Sequence, residues 1–258
     1  MAALSTVATV AGPLLDVQQL SKRFGGVVAS ASIDLQVRPG EVHALIGPNG
    51  AGKTTLVSQL AGQLRCDAGR IVFDGADITR LSPHARARRG LGRSFQITRL
   101  FRSFDVLDNV VLALQAVAWR DADAARHTVP RRQARRARAL DVLATIGLAD
   151  RAASAIDALS HGEQRALEVG LAVAGEPRLV LLDEPMAGMG AEESRRMEAL
   201  IGRLREHTTV LLIEHDVDAV FRLADRVSVL VSGRIIASGA PEAIRRDPGV
   251  IEAYLGDE

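Results

Sequence analysis

Apolar and polar residues alternate from Leu14 to Lys22 and again from Ser32 to Val37, the period-two pattern of half-buried antiparallel strands, with Phe24-Gly25-Gly26 between them. Three other stretches are apolar without alternation: Val42 with Ala44, Leu45 and Ile46, then Leu179 to Leu182, then Val210 to Ile213. Short runs of this kind fit strands covered on both faces. Further strands are expected at Arg70 to Phe73, followed by the turn signal Asp74-Gly75, and at Leu91 to Gln96, where chain direction changes. Val227 to Val231 and Arg234 to Ser238 read as a hairpin about Ser232-Gly233. Helical spacing governs Leu56, Val57, Leu60 and Leu64, and then the long stretch from Ile97 to Gly175. There Val106, Val110, Val111, Leu114 and Val117 share one face, and Leu140, Leu143, Ile146 and Leu148 another. The pattern predicts an α/β core preceded by an antiparallel sheet, interrupted by a helical insertion and finished by terminal helices.

Composition narrows this picture. At 258 residues and 47% hydrophobic content the chain can bury a substantial core as one domain with an inserted part. Lysine and arginine number 32 against 31 acidic residues, so no global field draws the protein to nucleic acid. Aromatics are only 3% of the residues, too few for readout of single strands by stacking. The single cysteine, Cys66, forms no internal disulfide and no thiolate cluster, which fits a reducing compartment and a structural role. No apolar run approaches the about eighteen residues a membrane helix needs, and residues 1–13 read as a loose tail rather than an export signal.

The chemistry is concentrated at strand ends. After the run ending at Ile46 comes Gly47-Pro48-Asn49-Gly50-Ala51-Gly52-Lys53-Thr54-Thr55, the spacing of a phosphate-binding loop. Glycine lets successive N–H groups turn inward around an anion, the helix start adds the positive end of its dipole, and Lys53 adds a mobile charge. At ~4 Å and an effective dielectric near 20, such a charge pair is worth up to about 4 kcal/mol before desolvation. Thr54 is placed to ligate a magnesium ion between the outer phosphates. The run ending at Leu182 delivers Asp183 and Glu184, the first an acid to hold magnesium directly or through water, the second a base to polarise an attacking water. The run ending at Ile213 delivers Glu214, His215 and Asp216, with His215 a donor to the transferring phosphoryl oxygens.

Leu159-Ser160-His161-Gly162-Glu163-Gln164 reads as a capping box, with Ser160 at the N-cap, whose N–H groups also suit a second phosphate contact. Phe24 follows Lys22-Arg23 and precedes two glycines, and is read as stacking on adenine rather than entering the core. Arg126, Arg131, Arg132, Arg135, Arg136 and Arg138 form a basic run, with Thr128 and Pro130 as helix-start residues, read as a solvated helix face in preference to a surface for anionic lipid, partner protein or nucleic acid.

In this order, the segments resemble the ATP-binding-cassette (ABC) ATPase family over nearly the whole chain. Phe24 matches its adenine-stacking loop, Gly47 to Thr55 its Walker A, Gln96 its Q-loop and Leu159 to Gln164 its signature. Asp183 and Glu184 match its Walker B and catalytic carboxylate, and His215 its switch histidine. The resemblance implies a P-loop NTPase (RecA-like) core, 14–96 and 176–258, with an N-terminal antiparallel β-subdomain and a helical subdomain, 97–175, inside one domain, 14–258. It implies ATP hydrolysis with ATP and Mg2+, in a dimer that sandwiches two nucleotides. Lys53, Gln96, Glu184 and His215 are then the catalytic set, and Thr54, Gln96 and Asp183 hold the metal. Ser160, Gly162 and Glu163 are expected to close over the partner's phosphates, and Gln96 to sense the γ-phosphate beside the contact to a membrane subunit.

Leu159 to Arg165, Asp183 to Met189, Ile213 to Asp216 and the ending Val250 to Gly256 look like the ATPase subunits of branched-chain amino-acid importers and their urea or amide relatives. Such systems combine two ATPases, two membrane permease subunits and a periplasmic binding protein, and place the ATPase on the cytoplasmic face of the inner membrane. Two positions depart from the family pattern: His161 replaces a signature glycine, and Gly190 stands where the D-loop commonly carries aspartate. The alternatives are a soluble ABC protein acting on nucleic acid or ribosomes and an export ATPase of the lipopolysaccharide type.

Overall fold

The computed structural model describes residues 12–94, 100–118 and 129–255. Gln96, within 95–99, lies outside them, as do Thr128 and Arg126 of the basic region.

Two sheets organise the chain. The first is antiparallel, in the order β2 (Val27–Val37), β1 (Leu15–Phe24), β4 (Ala68–Phe73), β5 (Ala76–Asp77). The second runs β10 (Arg234–Gly239), β9 (Arg226–Val231), β3 (Val42–Ile46), β8 (Thr209–Ile213), β7 (Leu179–Asp183), β6 (Leu91–Arg93). It is parallel except for β10, which closes a hairpin on β9.

The apolar runs are continuous because both faces of this sheet are covered. Along β7, Leu179 and Leu181 pack with Leu45, Leu15 and with Leu56 and Leu60 of α1 (Lys53–Leu60), on the side of the antiparallel sheet. Val180 and Leu182 face the other way, against Leu167 of α5 (His161–Val173) and Leu200 and Ile201 of α6 (Ala191–Leu204). Burying a leucine or valine on either side stabilises the fold by about 1.5–3 kcal/mol. Alternation would leave one face wet; here neither is.

Beyond β6 the helical part contains α3 (Val106–Ala118) and α4 (Val129–Thr145) packed with α5. The C-terminal segment forms α7 (Val217–Leu223), α8 (Pro241–Arg245) and α9 (Pro248–Leu255), and α2 (Pro83–Arg88) precedes β6.

Four expectations need correcting. Leu140 is 44% exposed rather than on the face of Leu143, because the core side of α4 runs through Ala139 and Leu143, four apart. Ile146 and Leu148 are buried but lie past the helix end, around Gly147 at φ 76°. Likewise α1 stops at Leu60, with Gly62 at φ 77°, so Leu64 is not on it, and β6 ends at Arg93, short of Gln96.

Candidate functional site

The parallel register lines up three strand ends. Leu45 of β3 pairs with Ile213 of β8, and Ile213 pairs with Asp183 of β7. Gly47 to Thr55, Asp183-Glu184 and Glu214-His215 therefore leave the sheet side by side at its C-terminal edge, where open α/β sheets bind ligands.

Only glycine fits at two points of the first loop. A Cβ on Gly47 would lie 2.0 Å from the Leu230 carbonyl oxygen, and one on Gly52, at φ 104°, 2.3 Å from that of Ala29. The loop is pressed against the β9–β10 hairpin and pinned there by the Gly233 N–H, which donates to the Ala51 carbonyl at 2.9 Å. Gly52 is also the N-cap of α1 and has no side chain to close the helix end. Lys53 is buried, and its ammonium donates to the carbonyls of Gly47 at 2.6 Å and Pro48 at 3.0 Å. Burial lowers its pKa, while Glu184 and Asp183 raise it, so both acids lie within electrostatic reach of the lysine.

Asp183 is 3% exposed, and burial pushes its pKa up against the opposing pull of Arg93 and Lys53. The Arg93 guanidinium donates to Asp183 Oδ2 at 3.1 Å and to Gln63 Oε1 at 2.6 Å. Glu184 adopts φ 49°, a left-handed conformation costing about 1–3 kcal/mol for a non-glycine residue, of the kind held at functional sites. The turn breaks the strand direction after Asp183, and the Glu184 N–H donates to the Ile213 carbonyl at 2.9 Å. His215 is exposed at the end of β8, beside Asp216, whose carboxylate caps α7 by accepting the Ala219 N–H at 3.0 Å.

The role of Glu214 emerged only from the structure. It is fully buried, and its carboxylate accepts the N–H of Met186 at 2.9 Å and of His215 at 3.2 Å, tying the loop after Glu184 to the loop of His215. Burial pushes its pKa up, and the two N–H groups pull it back. The sequence showed an acid next to a histidine without the tertiary partner. In Glu214→Gln, one acceptor becomes a donor facing an N–H, at a cost of about 1–3 kcal/mol in stability. Hydrolysis is expected to fall about 10- to 100-fold from misplacement of the two loops. Equilibrium nucleotide binding should stay near the parent value; equal losses in binding and rate would show that Glu214 supports the whole site instead.

Ser160 forms the expected capping box: its hydroxyl accepts the Glu163 N–H at 3.2 Å, and Glu163 Oε2 accepts the Ser160 N–H at 2.7 Å. The same helix start carries an unexpected acid. Glu193 of α6 accepts the Gly162 N–H at 3.3 Å and the Ser160 hydroxyl at 3.4 Å. His161 is exposed as the first residue of α5, and Gly190 is the N-cap of α6 without a side chain to cap it. Phe24 is 50% exposed at the end of β1, with the Lys22 ammonium 5.4 Å from its ring centre. In the basic run, Arg136 pairs with Asp108 at 3.3 Å and Arg138 with Glu176 at 2.8 Å.

These residues suit a nucleotide with its magnesium. The start of α1 offers N–H groups, Lys53 is held by main-chain carbonyls that a phosphate can replace, Thr54 is exposed, and Asp183 supplies a carboxylate oxygen. The sequence model described as "ABC transporter" matches residues 31–187. The chain belongs to the ABC transporter ATP-binding family.

Within that family, an ABC cassette solved in its ADP conformation superposes with a TM-score of 0.83 at 28% identity, covering 95% of this chain and 99% of the other. The high-affinity branched-chain amino acid transport ATP-binding protein LivG of Escherichia coli is 39% identical over 95% of this chain and 98% of its own length. The lipopolysaccharide export system ATP-binding protein LptB of Acidithiobacillus ferridurans is 36% identical over the same shares. A second model, "Branched-chain amino acid ATP-binding cassette transporter", matches residues 234–258. This ABC protein is accordingly an ATP-binding transport ATPase, and among its described residues no helix is long and apolar enough to cross a membrane.

Proposed function

We propose that this chain is the ATP-hydrolysing subunit of an importer for branched-chain amino acids or a related small polar solute. It acts as one of two cassettes on the cytoplasmic face of the inner membrane, below two permease subunits served by a periplasmic binding protein. The observation that carries the transport class is the match of residues 234–258 to the branched-chain model, a segment outside the general cassette match at 31–187. The likeness to LptB favours export as the second reading.

The chain's own residues divide the work. N–H groups of Gly47 to Thr55 hold the phosphates, and Lys53 exchanges its loop carbonyls for phosphate oxygens. Phe24 stacks on the adenine. Thr54, Asp183 and Gln96 would hold a magnesium ion, which when bound would neutralise phosphate charge. Glu184 takes the proton of the attacking water at its carboxylate, and His215 donates to the transferring phosphoryl group. Ser160, Gly162 and Glu163 face the phosphates of the second cassette, so each site is completed by dimerisation. Closure with ATP and reopening after hydrolysis are passed to the permeases through the helical subdomain.

Affinity purification of the tagged chain from its own membranes tests this reading. A second cassette and two permeases are expected, with ATP hydrolysis raised several-fold by binding protein loaded with leucine, isoleucine or valine. Recovery of an export permease pair, or of nucleic acid or ribosomes, would replace it.

A further inference from the structure

The acid assigned to magnesium is already held by a cation of the same chain. Arg93 ends β6 in register with Leu181, two residues short of Asp183 on the neighbouring strand. Its guanidinium donates to Asp183 Oδ2 at 3.1 Å, with the two side chains 10% and 1% exposed. Nη1 is anchored separately on Gln63 Oε1, just past the end of α1. Ser94 extends the grip: its hydroxyl oxygen accepts the Asp183 N–H at 3.3 Å. The strand edge that presents Asp183 to the phosphate loop thus also supplies its counter-ion, in a region with little water to screen the pair.

We infer that Arg93 is a positioning residue that competes with magnesium for Asp183 and so sets how much magnesium the nucleotide site requires. The inference rests on the assignment of Asp183 as the metal-side acid. A carboxylate hydrogen-bonded to a guanidinium has part of its charge neutralised, and a divalent cation arriving at it meets a positive charge at close range. Both effects weaken metal binding to the ionised carboxylate and have the same sign. Removing Arg93 therefore tightens the site for magnesium, whereas an arginine serving only to buttress β6 would leave magnesium unaffected or weaken its binding when lost. Lysine at the same position keeps the charge but not the planar fork, and should retain most of the competition.

The full chain would be titrated with magnesium chloride at a fixed, subsaturating concentration of fluorescent ATP analogue, with binding rather than turnover as the signal. For Arg93→Met, half-saturating magnesium is expected to fall about tenfold, equivalent to about 1.4 kcal/mol, while nucleotide affinity in EDTA stays within about twofold of the parent. Arg93→Lys should fall between the two. An unchanged or raised magnesium requirement in Arg93→Met overturns the inference, as does a parallel loss of affinity in EDTA. Should Arg93→Met fail to fold, Gln63→Ala carries the test. Gln63 is exposed, and losing it frees one arm of the guanidinium, so a smaller shift of the same sign is expected and no shift overturns the inference. If the parent chain binds nucleotide equally with and without magnesium, the metal assignment of Asp183 fails first and this inference with it. Absence of nucleotide binding under either condition would instead refute the ATPase reading itself.

Discussion

Glu184→Gln is expected to bind ATP normally, lower hydrolysis about 100- to 10,000-fold and accumulate as a closed dimer. The size of the effect follows from what the substitution leaves alone. Glutamine has the shape of glutamate and can adopt the same φ of 49°, and the main-chain N–H to the Ile213 carbonyl survives. Met186, two residues on, stays anchored on Glu214. Only the ability to take a proton is lost, worth about 3–5 kcal/mol of barrier. Binding groups in the loop from Gly47 to Thr55 lie on another strand end and are untouched, so affinity and rate separate. Phosphate release in single-turnover assays and size-exclusion chromatography with ATP check both halves; hydrolysis at the parent rate would remove Glu184 from the role of base.

Arg86→Met is expected to cost about 3–5 kcal/mol of stability, because several buried carbonyls lose their donor at about 1–3 kcal/mol each. Arg86 is 2% exposed and has no carboxylate partner among the described residues. Its guanidinium donates instead to the carbonyls of Gln59 and Leu60 at 2.7 Å, Thr79 at 2.9 Å and Leu81 at 3.1 Å. The first two are end-of-helix carbonyls of α1, beyond the reach of its own hydrogen-bond ladder, so the arginine caps the negative end of the helix that begins at the loop from Gly47 to Thr55. Desolvation pushes its pKa down, but an arginine remains charged throughout the usual range. Methionine fills similar volume but withdraws the charged donor from all four carbonyls, of which that of Gln59 keeps the Gly62 N–H at 3.1 Å. In denaturant unfolding and thermal melts the loss should appear as a fall in midpoint of roughly 10 °C. Arg86→Lys should lose less, since its ammonium keeps the charge but reaches fewer carbonyls. A change below about 1 kcal/mol would show that water replaces the guanidinium freely.

Much of the site was legible because its chemistry is local. Gly47 to Thr55 places glycines, lysine and threonine by spacing alone, and the capping box at Ser160 and Glu163 is a four-residue arrangement. The strands were legible where a period of two or an unbroken apolar run persisted. Helix ends were less so: half-buried Leu64 and buried Ile146 and Leu148 keep apolar spacing past the points where the helices stop, since a loop can carry apolar residues toward the core as well as a helix can.

Spacing within one segment fixes which atoms can surround a phosphate, so the candidate loops and the strands that carry them were readable from the chain alone. The tertiary structure alone decided what holds those groups in place. Arg93 is 90 residues from Asp183, Glu214 is 28 from Met186, and Arg86 is 27 from Gln59. Each pairing depends on which strands and helix ends become neighbours in the order β10-β9-β3-β8-β7-β6, and a charge carries no local mark of the partner it will meet across a sheet.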